Sequence, residues 1–281
     1  MQKTLRRYFP LFLLPTLLAF TVAFLIPFIL GVYLSFTEFT TVTDAAWVGF
    51  SNYIKVFTAN QDFLNALWFT IRFTVVSVVS VNLFAFLLAL LLTRKIHGTN
   101  LFRTIFFMPN LIGGIVLGYI WQLMINGVLM YWGVDITFSA KYGFWGLVIL
   151  MNWQMVGYMM VIYIAGLQNI PEDLSEAAAI DGASRWQELT RITIPMVMPS
   201  ITICTFLTLT NSFKLFDQNL ALTAGAPGRE TAMLALDIYH TFYGRVGYEG
   251  IGQAKAVLFF LMVAAVAGLQ LWLTRRKEVD A

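Results

Sequence analysis

The sequence predicts an all-α fold of helices that cross a membrane, and three observations carry that prediction. Of 281 residues, 59% are hydrophobic and only 12% are charged, and the mean hydropathy of +0.74 is too high for a water-soluble core. The apolar residues gather into six runs of roughly 20 residues or more, the length a helix needs to cross the hydrocarbon layer. Lys and Arg concentrate in alternate connections between those runs.

The first run, 11–36, follows Lys3, Arg6 and Arg7 and is longer than the apolar core of a signal peptide, so it is expected to be a retained span. The second covers 68–93, with Arg72 near one end placed to snorkel to the interface. The third to sixth cover 101–125, 143–167, 196–216 and 255–274. Pro15, Pro27 and Pro109 lie in or beside spans, where neighbouring helices can satisfy the carbonyls that proline frees. No repeat relates the two halves, which speaks against an inverted-repeat secondary transporter.

Eleven basic residues fall on one side: Lys3, Arg6, Arg7, Arg94, Lys95, Arg103, Arg185, Arg191, Arg275, Arg276 and Lys277. Six, spread over more chain, fall on the other: Lys55, Lys141, Lys214, Arg229, Arg245 and Lys255. The rule that cytoplasmic loops are positive then puts both termini in the cytoplasm. Basic residues so scattered suit topology signals rather than nucleic acid. One cysteine, Cys204, and two distant histidines, His97 and His240, give neither a disulfide framework nor metal-ligand spacing. No phosphate-binding G-x-x-x-x-G-K-[ST] loop occurs, so any ATP hydrolysis must belong to a partner.

Between the fourth and fifth runs lies the most polar long stretch, EAAAIDGASRWQELTRITIP, Glu176 to Pro195. Asn169, Pro171 and Glu172 predict a helix start, with Asn169 as the cap, and the helix should end near Asp181. Gly182 offers the left-handed conformation that ends helices, and Ser184 with Gln187 predicts a capping box opening a second helix. Leu174, Ala177, Ala178 and Asp181 share one helical face, with Glu176 as a further polar grip. Small alanines allow close approach by another protein; spacing alone fits equally an interfacial connector between two spans.

Glu176-Ala177-Ala178, three residues, Gly182, nine residues, then Ile192-Thr193-Ile194-Pro195 resembles the EAA signature of bacterial ABC importer permeases, with Ile194 where leucine is usual. The stretches Gly49-Phe50-Ser51-Asn52-Tyr53, Arg103 to Pro109, Ile170 to Leu174 and Ile180 to Ala183 are similar to sugar-type permeases of the maltose and glycerol-phosphate importer group. Thr223-Ala224-Gly225-Ala226-Pro227 resembles that group's T-x-G-G-P loop, with Ala226 replacing a glycine.

The resemblance implies a single permease domain over 1–281, with the type I importer fold in the inner cytoplasmic membrane. Its coupling helix would dock on the ATPase through Leu174, Glu176, Ala177, Ala178, Asp181 and Gly182. It implies a second permease subunit, two copies of an ATPase that carry the ATP and Mg, an external sugar-binding protein, and no cofactor, metal or catalytic residue in this chain. Matching positions imply a sugar site of Asn110, Trp121, Asn152, Gln154, Thr208, Asn211 and Ser212. At 1.5 Å per residue Thr208 lies ~18 Å and Asn152 ~14 Å from the ends of their spans, near the bilayer middle. The set joins amides and hydroxyls to an aromatic face, as sugars require, and it is neutral. Lys214 and Asp217 are spaced to pair with each other. An importer of the same class for glycerol phosphate, a polyol or an amino acid remains open, as does a channel or a membrane enzyme; the enzyme would call for convergent intramembrane His, Cys or carboxylate groups, which the runs lack.

Overall fold

A computed structural model describes residues 13–59, 61–94 and 97–275. The basic residues Lys3, Arg6, Arg7, Lys95, Arg276 and Lys277 of the charge count lie outside this range. The chain divides into two compact units, Met1–Phe63 with Ile238–Phe260 and Leu64–Asp237 with Leu261–Ala281.

In the first unit, α1 (Leu13–Leu34) is apolar all round and none of its apolar window is buried within the chain. It widens into a π turn at Thr21–Leu25, immediately before Pro27. That widening relieves the pressure of the proline ring on the preceding turn. A short antiparallel pair, β1 (Thr37–Glu38) and β2 (Ala46–Trp47), reverses the chain with Thr37 opposite Trp47. In its loop the Thr40 hydroxyl donates to Asp44 Oδ2 at 2.5 Å and the Thr41 N–H to Oδ1 at 2.9 Å. Those donors hold the Asp44 carboxyl below its ordinary value. Gly49, at φ +57°, turns the chain into α2 (Ser51–Thr58). Lys255 is buried here, and its Nζ donates to Thr241 Oγ1 at 2.9 Å and lies 5.8 Å from the Phe63 ring centre.

The second unit is built around α6 (Ala140–Gln168), whose apolar window is 67% buried. A helix apolar on every side belongs in the middle of a bundle. Around it stand α3 (Asp62–Leu92), α4 (Thr99–Phe107), α5 (Gly114–Leu129) and α9 (Met198–Phe213). Arg103 on α4 caps α3, its Nη2 donating to the Leu92 carbonyl at 3.1 Å. Arg72 lies over the Trp68 ring at 5.7 Å. Two glycines of α6 let backbone approach: a Cβ at Gly157 would collide with the Phe106 carbonyl, and one at Gly166 would stand 3.0 Å from Ser200 Cβ. The connection from α6 holds α7 (Glu172–Ile180) and α8 (Arg185–Met196). After α9 come α10 (Asp217–Leu222), α11 (Leu234–Gly244) and α12 (Glu249–Arg275).

Five described helices are long and apolar enough to span a membrane, and six if α8 and α9 make one bent span. The expected third span, 101–125, is in fact broken. Pro109 interrupts it in a 3-10 turn, Met108–Leu111, and α5 restarts at Gly114 and carries the apolar stretch on through Trp132. The fifth bends by 68° between α8 and α9. Asn169 is not the cap of α7: it closes α6 in a right-handed conformation, and Pro171 precedes α7 with no side-chain cap.

A polar cavity and an exposed connecting helix

The cavity at α6 and α9 is assembled from a stripe of α6 and a segment that leads from α9 across a helix break into α10. Met151, Gln154, Met155 and Tyr158 come from α6; Asn211, Lys214, Leu215 and Gln218 run from α9 into α10. The first set follows i, i+3, i+4, i+7 along one face of α6, whereas the second crosses the break between α9 and α10, in which Lys214 and Leu215 lie outside the helices. Asn110, exposed from helical packing by the Pro109 break, closes the wall, and the cavity measures about 520 Å³.

Its polar groups are partly committed. Gln218 Nε2 donates to Gln154 Oε1 at 2.8 Å, and Gln154 Nε2 makes a long contact of 3.5 Å to the Ile112 carbonyl. Asn211 Nδ2 donates to the Leu207 carbonyl at 2.9 Å, which leaves Oδ1 as acceptor for a solute hydroxyl. Lys214 is exposed and lines the cavity, so the wall is cationic rather than neutral.

Asn110, Gln154 and Asn211 are therefore brought together, and the other four expected solute residues are not with them. Thr208 is fully buried, its Oγ1 donating to the Cys204 carbonyl at 2.8 Å and accepting from Asn82 Nδ2 at 3.3 Å. Ser212 is equally buried and donates to the Thr208 carbonyl at 2.7 Å. Asn152 donates to Ser80 Oγ at 2.9 Å and lines a separate, mainly apolar groove of about 430 Å³ with Phe84, Leu87 and Trp153. Trp121 packs edge to face on Trp153, with centroids 5.7 Å apart. Sequence reasoning missed Tyr158, Lys214 and Gln218.

On the connection, α7 ends in a Schellman turn: Ala183 N–H donates to the Ala178 carbonyl at 2.9 Å and Gly182 N–H to that of Ala179 at 3.2 Å. Gly182 has φ +73° and open space where a Cβ would stand, so conformation alone demands glycine. The expected box forms, Ser184 N–H donating to Gln187 Oε1 at 2.7 Å and Gln187 N–H to Ser184 Oγ at 3.3 Å. Leu174, Glu176, Ala177, Asp181 and Gly182 are exposed. Ala178 instead turns inward, at 8% exposure, because the 3.6-residue period carries it past the outer face. Two large apolar side chains extend the outer surface beyond the expected set: Ile180 is 86% exposed and Trp186 71%. No group of three His, Cys, Asp or Glu among the described residues could hold a metal ion.

Apolar spanning helices around a polar cavity, joined by an exposed helix, glycine turn and helix, define a multi-pass membrane permease. The chain belongs to the family described as binding-protein-dependent transport system inner membrane component, which matches residues 98–279. It is 44% identical over 278 residues, 96% of this chain and 94% of the other, to the probable starch degradation products transport system permease protein AmyD of Thermoanaerobacterium thermosulfurigenes. The multiple sugar-binding transport system permease protein MsmF of Streptococcus mutans is 31% identical, with 99% of each chain covered. Among solved structures, a bacterial ABC transporter involved in the import of the acidic polysaccharide alginate matches 98% of both chains with a TM-score of 0.81 at 23% identity, a likeness of fold. The chain is thus a membrane-embedded transport subunit of an ABC importer, with the type I permease fold.

Proposed function

We propose that this subunit forms half of the translocation path for a carbohydrate, which it binds in the cavity between α6 and α9. The observation that carries the proposal is the meeting of Asn110, Gln154 and Asn211 around a space of about 520 Å³. Amide groups that both donate and accept suit sugar hydroxyls, and Tyr158 adds an aromatic wall. The names of the relatives, starch degradation products and multiple sugars, favour the same solute class.

The exposed surface from Leu174 to Trp186 would meet a separate ATPase, two copies of which carry ATP and Mg. A second permease chain would complete the path, and an external binding protein would deliver the sugar. A related fold is described in complex with an alginate pentasaccharide-bound periplasmic protein. Both termini would be cytoplasmic, by the charge count.

Lys214 favours a second reading, in which the carbohydrate carries an acidic group. An ammonium in the wall can pair with a carboxylate or phosphate, or donate to neutral hydroxyls. Uptake by the assembled importer, across neutral and acidic oligosaccharides, separates the two. Asn211→Ala should lower uptake per assembled complex severalfold, since a lost hydrogen bond costs on the order of 1 kcal/mol. Unchanged uptake per complex for every sugar would remove Asn211 from the site. Lys214→Gln should spare a neutral sugar and sharply reduce an acidic one.

A further inference from the structure

The short helix α2 is pinned on one side and bare on the other. On the pinned side Asn52, 2% exposed, donates from Nδ2 to the carbonyls of Ser35 at 3.0 Å and Thr37 at 2.8 Å. The Tyr53 hydroxyl meets Ser35 Oγ at 2.7 Å, and Val56 is 1% exposed. A Cβ on Gly250 would stand 2.7 Å from Asn52 Nδ2, so α2 also rests on the first turn of α12. These contacts fix its depth. It lies where α1 ends at Leu34 and where α12 begins at Glu249, the ends of two helices long and apolar enough to cross a membrane.

On the bare side Trp47, Phe50, Ile54 and Phe57 are 64%, 69%, 61% and 49% exposed. Phe50, at the N-cap, Ile54 and Phe57 are spaced by four and three and share one stripe, and Trp47 of β2 joins it through Phe36, whose ring centroid lies 5.4 Å from Trp47 and 5.3 Å from Phe50. The neighbouring stripe, Ser51, Lys55 and Thr58, is polar, and α2 contains no acidic residue. Trp47 leads back to Tyr33 near the end of α1, with ring centroids 5.9 Å apart, and α1 buries none of its apolar window in the chain. The bare stripe is therefore continuous with the surface of a spanning helix.

We infer that α2 is an interfacial anchor: Trp47, Phe50, Ile54 and Phe57 enter the boundary between acyl chains and headgroups of a phospholipid leaflet, and Lys55 reaches its phosphates. The leaflet is the one at the Leu34 end of α1. Amphipathic aromatic rings prefer this boundary, and a cation beside them complements the phosphate layer. The inference is independent of which solute is carried. Lipid is favoured over a protein occupant by the depth of α2, by continuity with α1 and by the position of Lys55.

The test places single nitroxides at Ile54→Cys, Phe57→Cys and Thr58→Cys in a Cys204→Ser background, in the complete importer reconstituted into nanodiscs of phosphatidylethanolamine and phosphatidylglycerol. Collision rates with oxygen and with a water-soluble nickel chelate are read with and without the binding protein. Labels at 54 and 57 should meet oxygen severalfold more often than nickel, with the preference reversed at 58 and no change on adding the binding protein. Nickel access at 54 and 57 would place the stripe in water and overturn the inference. Exclusion of both reagents there, in the complex alone or after the binding protein is added, would mean that a protein covers it and would overturn the inference equally.

Discussion

Gln218 Nε2 lies 2.8 Å from Gln154 Oε1, which ties α10 to the middle of α6 at the rim of the polar cavity. In water such a bond contributes about 1 kcal/mol net, and it can be exchanged for bonds to a solute. Gln218→Ala removes the donor and leaves Gln154 Oε1 facing the cavity. Uptake per assembled complex should fall severalfold, with the amount of complex unchanged. Full uptake by the variant would show that the pair lies outside the path.

Gly182 occupies the left-handed region at φ +73° with nothing near the missing Cβ. Gly182→Val should cost on the order of 1–2 kcal/mol at that position. The effect belongs to the turn, so solute-stimulated ATP hydrolysis by the complex should drop while the spans stay folded. Gly182→Asn, better tolerated there, should keep most of it. Wild-type hydrolysis and transport by the valine variant would sink the coupling role of this connection.

The charge count puts the loop carrying His97 inside and that carrying Val246 outside. Both side chains are exposed, Val246 at 89%, whereas Met233 and Leu234 are fully buried and unsuitable for labelling. In Cys204→Ser vesicles of right-side-out orientation, an impermeant maleimide should label Val246→Cys at once and His97→Cys only after permeabilisation. The opposite pattern inverts the topology.

Gly157 packs α6 directly on the α4 backbone, so Gly157→Ala must push the helices apart. Overpacking of this kind costs roughly 1–3 kcal/mol. Thermal unfolding in detergent should shift down by several degrees. Gly127→Ala, with nothing within 4 Å, serves as the control and should leave the midpoint in place or raise it slightly.

The number of spans was legible in the sequence because hydropathy integrates over whole segments. Their breaks were not, since Pro109 ends a helix only where the next residues find another use for their backbone, and here Asn110 lines a cavity. The turn at Gly182 and the box at Ser184 were readable because local chemistry decides them. Azimuth was harder. Thr208 and Ser212 read as polar, yet each hydroxyl donates to a carbonyl of its own helix and makes no demand on a solute. Asn152, two residues before Gln154, is turned about 200° around the helix from it, which is enough to face a different groove.

The 68° elbow between α8 and α9 has a mechanical consequence. Val197, fully buried, sits at the corner, and Gly166 of α6 admits Ser200 and Val197 against its backbone, so the corner is seated on the central helix. The arms are 12 and 16 residues long, about 18 and 24 Å at 1.5 Å per residue. Were the angle held and both arms stiff, a push of about 1 Å at Arg185 would swing Phe213 by about 1.3 Å, in the ratio of the two arms. Asn211 lies two residues short of that tip, so an elbow moving as one piece would carry a displacement of the connecting helix to the cavity wall.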